Sequence, residues 1–429
     1  MKFFFPDSHD FVDGSFDFDT ETRSDHRVRQ QHDLYPHEIL TRPPYDGMLV
    51  SKAVVDGVGG VSGKYSIAQR QRLLRVGVRE FFRLAGTSLL SMGDCGAFTY
   101  VRETIPPYTP AEVIEFYVQC GFDFGLSVDH VILGFQSGQD RDPGDVPEEW
   151  KSRQDLTISL AGAFLKLCKS ESVPFIPVGV AQGWSAASYA RAVESLQKQG
   201  FQYIAFGGMV PLKTPEILDC LSAADKVRRA GTEFHLLGIS RCEHVEAFGR
   251  FGVTSFDSTA PLRRAFKDDK HNYYTEKRTY AAVRVPQVEG NTEFRKQILA
   301  GRVDQRAAMD REKECLRLLV AYDKEKVSMS EVVDALESYE QIVTGRVVRS
   351  ALNEETLAAR PWTKCKCTIC KSIGIHVVIF RGAERNRRRG FHNLYVFSNQ
   401  LRRQPKPADV GLISAALEGD SKGTEILYA

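Results

Sequence analysis

The sequence predicts an α/β chain built on a (β/α)8, TIM-like barrel, with an appended helical region and a cysteine-rich subdomain near the C-terminus. Three observations carry this. Short apolar runs alternate with longer amphipathic segments through the middle of the 429 residues. A charged, helical stretch follows. Then three of the nine cysteines fall inside six residues, in "KCKCTICK".

Seven runs read as strands: "GMLVSKAVV" (47–55), "TSLLSMG" (87–93), "LSVDHVILGF" (126–135), "VPFIPVGVAQG" (173–183), "YIAFGGM" (203–209), "FHLLGIS" (234–240) and "VTSFDS" (253–258). Between them, "TPAEVIEFYVQCG" (109–121) has Thr109 to cap a helix and Gly121 to stop it, and "SAASYARAVESLQKQG" (185–200) is built alike. Repeated β-then-α units imply parallel strands with helical crossovers. Seven such runs suit a closed barrel of roughly 250 residues better than an open sheet; the eighth strand has no run assigned to it. The expected organisation is an N-terminal extension (1–45), a catalytic barrel (46–300), a helical connection (301–360), a zinc-binding subdomain (361–400) and a C-terminal tail with a short helix (401–429). "DGVGGVSGKYS" (56–66) is not a phosphate loop, because the position that needs the first glycine is Val58.

Composition is that of a soluble globular chain, and no apolar stretch approaches the length of a membrane span. No secretory signal precedes the cysteines, so a cytoplasmic location is expected and a disulfide framework is not. Cys120, Cys168, Cys220 and Cys315 sit among apolar neighbours and read as ordinary buried thiols. A net charge of +2 does not by itself announce a nucleic-acid binder.

The clustered thiols point to a metal. Zinc takes four nitrogen or sulfur ligands in a closed structural site. Cys365, Cys367 and Cys370 supply three, and two histidines compete for the fourth place. His376 lies in the β-branched run "GIHVVIF", where a core role fits it better. His392 follows the charged excursion "RGAERNRRRG", which would return the chain to the site, and is favoured. From Arg381 to Arg403 there are seven arginines and one acid, Glu384. Arg385, Arg387, Arg388 and Arg389 therefore form either a phosphate-gripping patch or a solvated face.

Barrels of this class do chemistry where strands end and loops begin. Asp94 in "MGDCGAF", Asp129 in "SVDHV" and Asp257 in "TSFDSTAP" stand at such places or inside an apolar run, where an unpaired carboxylate is expensive. One such aspartate is ordinary loop capping; three in one barrel favour chemistry. Gly207 and Gly208 in "FGGM" would let a flat ligand approach the backbone, and Gln182 adds an amide. Two carboxylates, an amide and open backbone groups suit a purine with N–H donors and a carbonyl acceptor. A third carboxylate could attack an anomeric carbon, as retaining glycosidases do.

These residues resemble the tRNA-guanine transglycosylase superfamily. Its Cys-x-Cys-x-x-Cys pattern followed by His in an "HNL" context appears as Cys365, Cys367, Cys370 and His392. The family's "DSGGF" appears as "DCGAF", which implies Asp94 as general acid/base and Phe98 as the aromatic that stacks on the base. Asp129 matches the base-recognising aspartate and Gln182 the glutamine of "VQGG". Gly207, Gly208 and Met209 match "GG-L", and Leu237 takes the place of a methionine over the base. "FDSTAPLR" matches the nucleophile motif, giving Asp257 as nucleophile and Arg263 as its basic residue. Cys95 for a serine, Ala97 for a glycine and Trp184 after the glutamine turn are departures.

The N-terminal block, "FFFPDSHDFVD" onward, resembles the DNA-acting branch, and the RNA-binding C-terminal domains of archaeal tRNA enzymes are absent from the sequence. The resemblance implies a DNA guanine transglycosylase that exchanges guanine for a free 7-deazaguanine base such as 7-cyano-7-deazaguanine (preQ0). It also implies one structural zinc ion and, from the branch's gene neighbourhoods, an ATPase partner that opens DNA. A tRNA-acting enzyme is the alternative. A non-catalytic zinc-barrel subunit is the rival from another class, against which the retained Asp94 and Asp257 argue.

Overall fold

The computed structural model describes residues 1–58, 61–136 and 146–404. Eight parallel strands close into a barrel: β1 (Lys2–Pro6), β2 (Gly47–Ser51), β3 (Leu90–Asp94), β4 (Phe124–Leu126), β5 (Ile176–Ala181), β6 (Tyr203–Phe206), β7 (Glu233–Leu236) and β8 (Val253–Asp257). Their order around the barrel follows the chain, and β1 closes the ring between β8 and β2. Phe4 pairs with Asp257 on one side and Gly47 on the other.

The expected barrel is therefore present, and its eighth strand is the first in the chain. Lys2–Pro6 lies inside the stretch expected as an N-terminal extension. "KFFFP" buries Phe3, Phe4 and Phe5 completely or almost so. Phe4 joins Leu49, Met92, Phe124, Leu126, Val178, Val180 and Ala205 in the apolar filling of the barrel.

The main helices of the barrel unit are α1 (Ile67–Phe81), α2 (Pro110–Cys120), α3 (Glu148–Glu171), α4 (Ala186–Gln199), α5 (Thr214–Lys226) and α6 (Val245–Arg250). The end signals act as expected. Thr109 Oγ1 accepts from the Glu112 amide and Ser185 Oγ from that of Ser188. Gly121 and Gly200 end their helices with φ +69° and +111°, a region side chains other than glycine's rarely enter.

The chain divides into two compact units. One holds Met1–His9 and Tyr45–Thr259; the other holds Asp10–Pro44 and Ala260–Gln400. The barrel unit thus ends at Thr259 rather than near residue 300, and the segment 10–44 belongs with the second unit. The physical reason is polar pairing: the Glu21 carboxylate pairs with Arg381, Glu384 pairs with Arg23, and the Asp13 carbonyl accepts from Arg388. The second unit contains α7 (Ala260–Lys267), α8 (Gln305–Asp323), α9 (Met329–Thr344), α10 (Ser350–Ala359) and the long α11 (Gly382–Arg403). "GIHVVIF" is a 3-10 turn, Gly374–Val378, leading to a two-residue strand, Ile379–Phe380, paired with Val283–Arg284. "RGAERNRRRG" is not a loop excursion but the opening of α11. Of the expected C-terminal tail, residues 405–429 lie outside the described residues. Among the described residues, no helix is long and apolar enough to cross a membrane.

Candidate active site and metal centre

Five of the barrel's strands deliver the expected residues at their C-terminal ends, and Asp129 follows a sixth. Asp94 is the last residue of β3 and Asp257 the last of β8. Gln182 follows β5 directly. Gly207, Gly208 and Met209 follow β6, and Leu237 follows β7. Asp129 is not inside a strand as expected: β4 ends at Leu126, so Asp129 lies three residues on, in irregular chain. Phe98 sits in a 3-10 turn just after β3 and is 50% exposed. Arg263 lies on α7, in the second unit, and is exposed.

Asp129 is 3% exposed and almost fully engaged. The Cys95 thiol donates to its Oδ1 at 3.1 Å and the Gln182 side-chain amide donates to its Oδ2 at 2.6 Å. Tyr100 in turn donates to Cys95 Sγ at 3.0 Å and to the Asp129 carbonyl at 3.1 Å. The other end of Gln182 accepts from the Ile132 amide at 3.2 Å. These contacts require space that only glycine leaves. A Cβ on Gly207 would lie 2.1 Å from Gln182 Nε2, and Gly208 combines φ +73° with the Ile132 carbonyl 2.5 Å from where its Cβ would be.

Burial pushes the Asp129 carboxyl up to about 6, against the Cys95 and Gln182 hydrogen bonds that favour its anion. Asp94 is pushed further, to about 7, first by burial and then by the charges of Asp129 and Asp257, while the Gly96 amide opposes the rise. Burial and the same carboxylates hold the Cys95 thiol well above its usual range, so it stays a donor.

Asp257 is 6% exposed. Its Oδ1 accepts from the Gly238 amide at 3.0 Å and lies 3.2 Å from His235 Nε2. No hydrogen bond among the described residues reaches its Oδ2. His235, in β7, has its other ring nitrogen 2.6 Å from Ser255 Oγ, and Ser255 also contacts the Tyr203 hydroxyl. Sequence reasoning missed His235, Ser255 and Tyr203. The available signal was a histidine inside the apolar run "FHLLGIS", since a buried imidazole needs partners on both nitrogens.

A chain of this length with 50% identity to a curated protein is informative once this geometry is known. That protein is the DNA-guanine transglycosylase of Salmonella montevideo, matched over 405 residues, 94% of this chain and 96% of the relative. The chain belongs to the DNA-guanine transglycosylase family. It is thus an enzyme of the pentosyltransferase class. More distant matches are the tRNA-guanine(15) transglycosylases of Pyrococcus furiosus (28% over 184 residues, 42% of this chain and 29% of the relative) and Thermococcus onnurineus (26% over 208 residues, 47% and 33%). No family model matches the chain.

In the second unit, Cys365, Cys367, Cys370 and His392 converge. Their ligand atoms all lie within 4.8 Å of one another and could hold a metal ion. His392 presents Nδ1 to the three sulfurs at 3.3–3.6 Å, while its Nε2 is 2.7 Å from the Tyr274 carbonyl, which fixes the tautomer that frees Nδ1. Tyr273 stacks on the His392 ring at 4.1 Å. Amides of Cys367 and Cys370 donate to Cys365 Sγ and Cys367 Sγ, as thiolates in such knuckles receive. His376 takes no part in this set; its ring faces Phe18 and Arg385.

The arginine cluster is corrected. Arg385, Arg388 and Arg389 are 2%, 5% and 0% exposed, so they do not present a phosphate-gripping surface. Arg385 pairs with Glu21, and Arg388 with Glu384 at 2.6 Å and the Asp13 carbonyl at 2.5 Å. Arg389 spends its donors on the carbonyls of Val377, Ile379 and Ala265 and on Asn386, and burial lowers it to about 9. Arg387 is half-buried over the Phe11 ring. The charge run is the inner face of α11.

Proposed function

We propose that this protein exchanges guanine in DNA for a 7-deazaguanine base such as 7-cyano-7-deazaguanine, through a covalent glycosyl-aspartate. The carrying observation is the convergence of three carboxylates with unequal environments at the barrel's C-terminal end. Two buried carboxyls raised to different extents, beside a third with one oxygen that no hydrogen bond among the described residues reaches, are what acid/base-assisted displacement needs.

In this reading, Asp257 Oδ2 attacks C1′ of the target deoxyribose as the C1′–N9 bond breaks. Asp94, part protonated at neutral pH, gives its proton to the departing guanine. The incoming base then loses its N9 proton to Asp94 and its N9 attacks C1′, releasing Asp257. Two displacements retain the configuration at C1′. Asp129, Gln182 and the Gly207–Met209 backbone read the base edge, with Phe98 and Leu237 on its faces and Arg263 near the nucleophile's motif. A duplex guanine must first leave the stack, at a cost of a few kcal/mol; an ATPase partner that opens DNA and a cytoplasmic setting belong to the same reading. The ion that Cys365, Cys367, Cys370 and His392 would hold is zinc, since three thiolates and an imidazole form one of its closed structural sets. It would cross-link the Cys365–Cys370 segment to the middle of α11, where His392 sits.

DNA rather than tRNA is supported by the name of the 50%-identical relative. The test is incubation with labelled 7-cyano-7-deazaguanine and either DNA or tRNA. Label in DNA alone is expected; label in tRNA alone would contradict the reading.

A further inference from the structure

We propose that His235 is a positioning residue for the nucleophile, held in one tautomer by a hydrogen-bond chain through the barrel interior. The inference rests on the reading of Asp257 as nucleophile. His235 and Ser255 are fully buried, and so is Tyr203. His235 Nε2 lies 3.2 Å from Asp257 Oδ1 and its Nδ1 lies 2.6 Å from Ser255 Oγ. Ser255 Oγ also contacts the Tyr203 hydroxyl.

Only one proton arrangement with a neutral imidazole satisfies every member. A carboxylate accepts and cannot donate, so Nε2 carries the ring proton and gives it to Asp257 Oδ1. Nδ1 must then accept, which makes Ser255 its donor. Ser255 Oγ in turn accepts from Tyr203, whose phenol burial holds above its usual range and so keeps protonated. Tyr203, Ser255, His235 and Asp257 thus form a directed chain.

Its consequence is geometric. Oδ1 receives two donors, His235 Nε2–H and the Gly238 amide at 3.0 Å. Those two bonds fix the carboxylate plane and leave Oδ2 as the oxygen that attacks. The residues come from adjacent strands, β6, β7 and β8, so the barrel itself sets the angle. Buried polar chains of this kind are costly when incomplete, which makes each link testable.

The experiment measures exchange of 7-cyano-7-deazaguanine into guanine-containing DNA, with thermal melts of every variant. Removing the oriented donor in His235→Leu should lower kcat by about 10²-fold, as loss of one preorganised donor does, with KM for the free base within about twofold. His235→Gln, whose amide can still donate to Oδ1, should recover kcat to within about tenfold of wild type. Ser255→Ala should lower kcat by about tenfold alone and add nothing to His235→Leu, because the two act through one chain.

Three results would overturn the proposal: kcat of His235→Leu within about twofold of wild type, no recovery in a folded His235→Gln, or fully additive losses in the double variant. Should His235→Leu fail to fold, a Ser255→Ala enzyme with wild-type kcat overturns it equally. An Asp257→Ala enzyme that still exchanges base would bring down the nucleophile reading first, and that outcome is distinct from an inert Asp257→Ala beside an indifferent His235.

Discussion

Asp94 and Asp257 stand in different surroundings. Asp94 is raised to about 7 by burial and the nearby charges of Asp129 and Asp257. Its folded affinity for a proton exceeds its unfolded one, so its contribution to stability is fully present in acid and is lost as pH rises from about 4 through about 7. Asp94→Asn should therefore stabilise the protein at pH 8 by on the order of 2 kcal/mol and leave it unchanged at pH 4, while exchange stalls. Denaturant melts at the two pH values check this. Guanine release should also fall as pH rises above 7 in the wild type, since the acid is then spent. The metal centre yields a separate expectation: His392→Ala should release the ion more readily than His376→Ala, because only His392 faces the three sulfurs; metal analysis after mild chelation decides it. The strand-end places of Asp94 and Asp257 were legible because a carboxylate at the end of an apolar run has few structural excuses. His235 was not, since a histidine inside a strand looks like a core residue until its partners from β6 and β8 are seen.

Strand ends explain both what sequence reasoning caught and what it lost. Seven strands stood out because each is followed by a helical pattern or a glycine-bearing turn. β1 lacks that context: "KFFFP" is five residues long and the chain after His9 leaves for the other unit. Its three phenylalanines were the available signal. Phe4 is in the barrel's filling, so Phe4→Ala should cost about 3–5 kcal/mol, read from urea melts, with the other barrel strands unable to close the gap. The arginine run was misread because sign and density were taken for exposure. Arg385, Arg388 and Arg389 fall on one face of α11, at i, i+3 and i+4, and Arg381 precedes the helix directly. Arg381 and that face are paired with Glu21, Glu312 and Glu384.

At the scale of the whole molecule, buried arginines change what their removal should do. Arg389→Ala strips donors from three carbonyls and empties a fully buried site. It should destabilise the second unit by about 2–4 kcal/mol rather than flatten the salt dependence of DNA binding, since breaking a buried network leaves unpaired polar groups. Melts and salt titrations of binding, run on the same variant, separate the two effects. The fold class was legible because parallel β/α alternation admits few closures. The division into units was not, because segment 10–44 joins the second unit through ion pairs between residues some 360 positions apart, which no local pattern encodes.

The central claim is covalent exchange at Asp257, and one measurement reaches it most directly. Without an incoming base the glycosyl-enzyme has only the departed guanine as acceptor, so incubating the wild-type protein with guanine-containing DNA alone and denaturing the mixture should leave a protein–DNA adduct. Peptide mass mapping should find the sugar on Asp257, and the adduct should be absent from Asp257→Ala. An adduct mapped to another residue, or base exchange that survives in Asp257→Ala, would contradict the account.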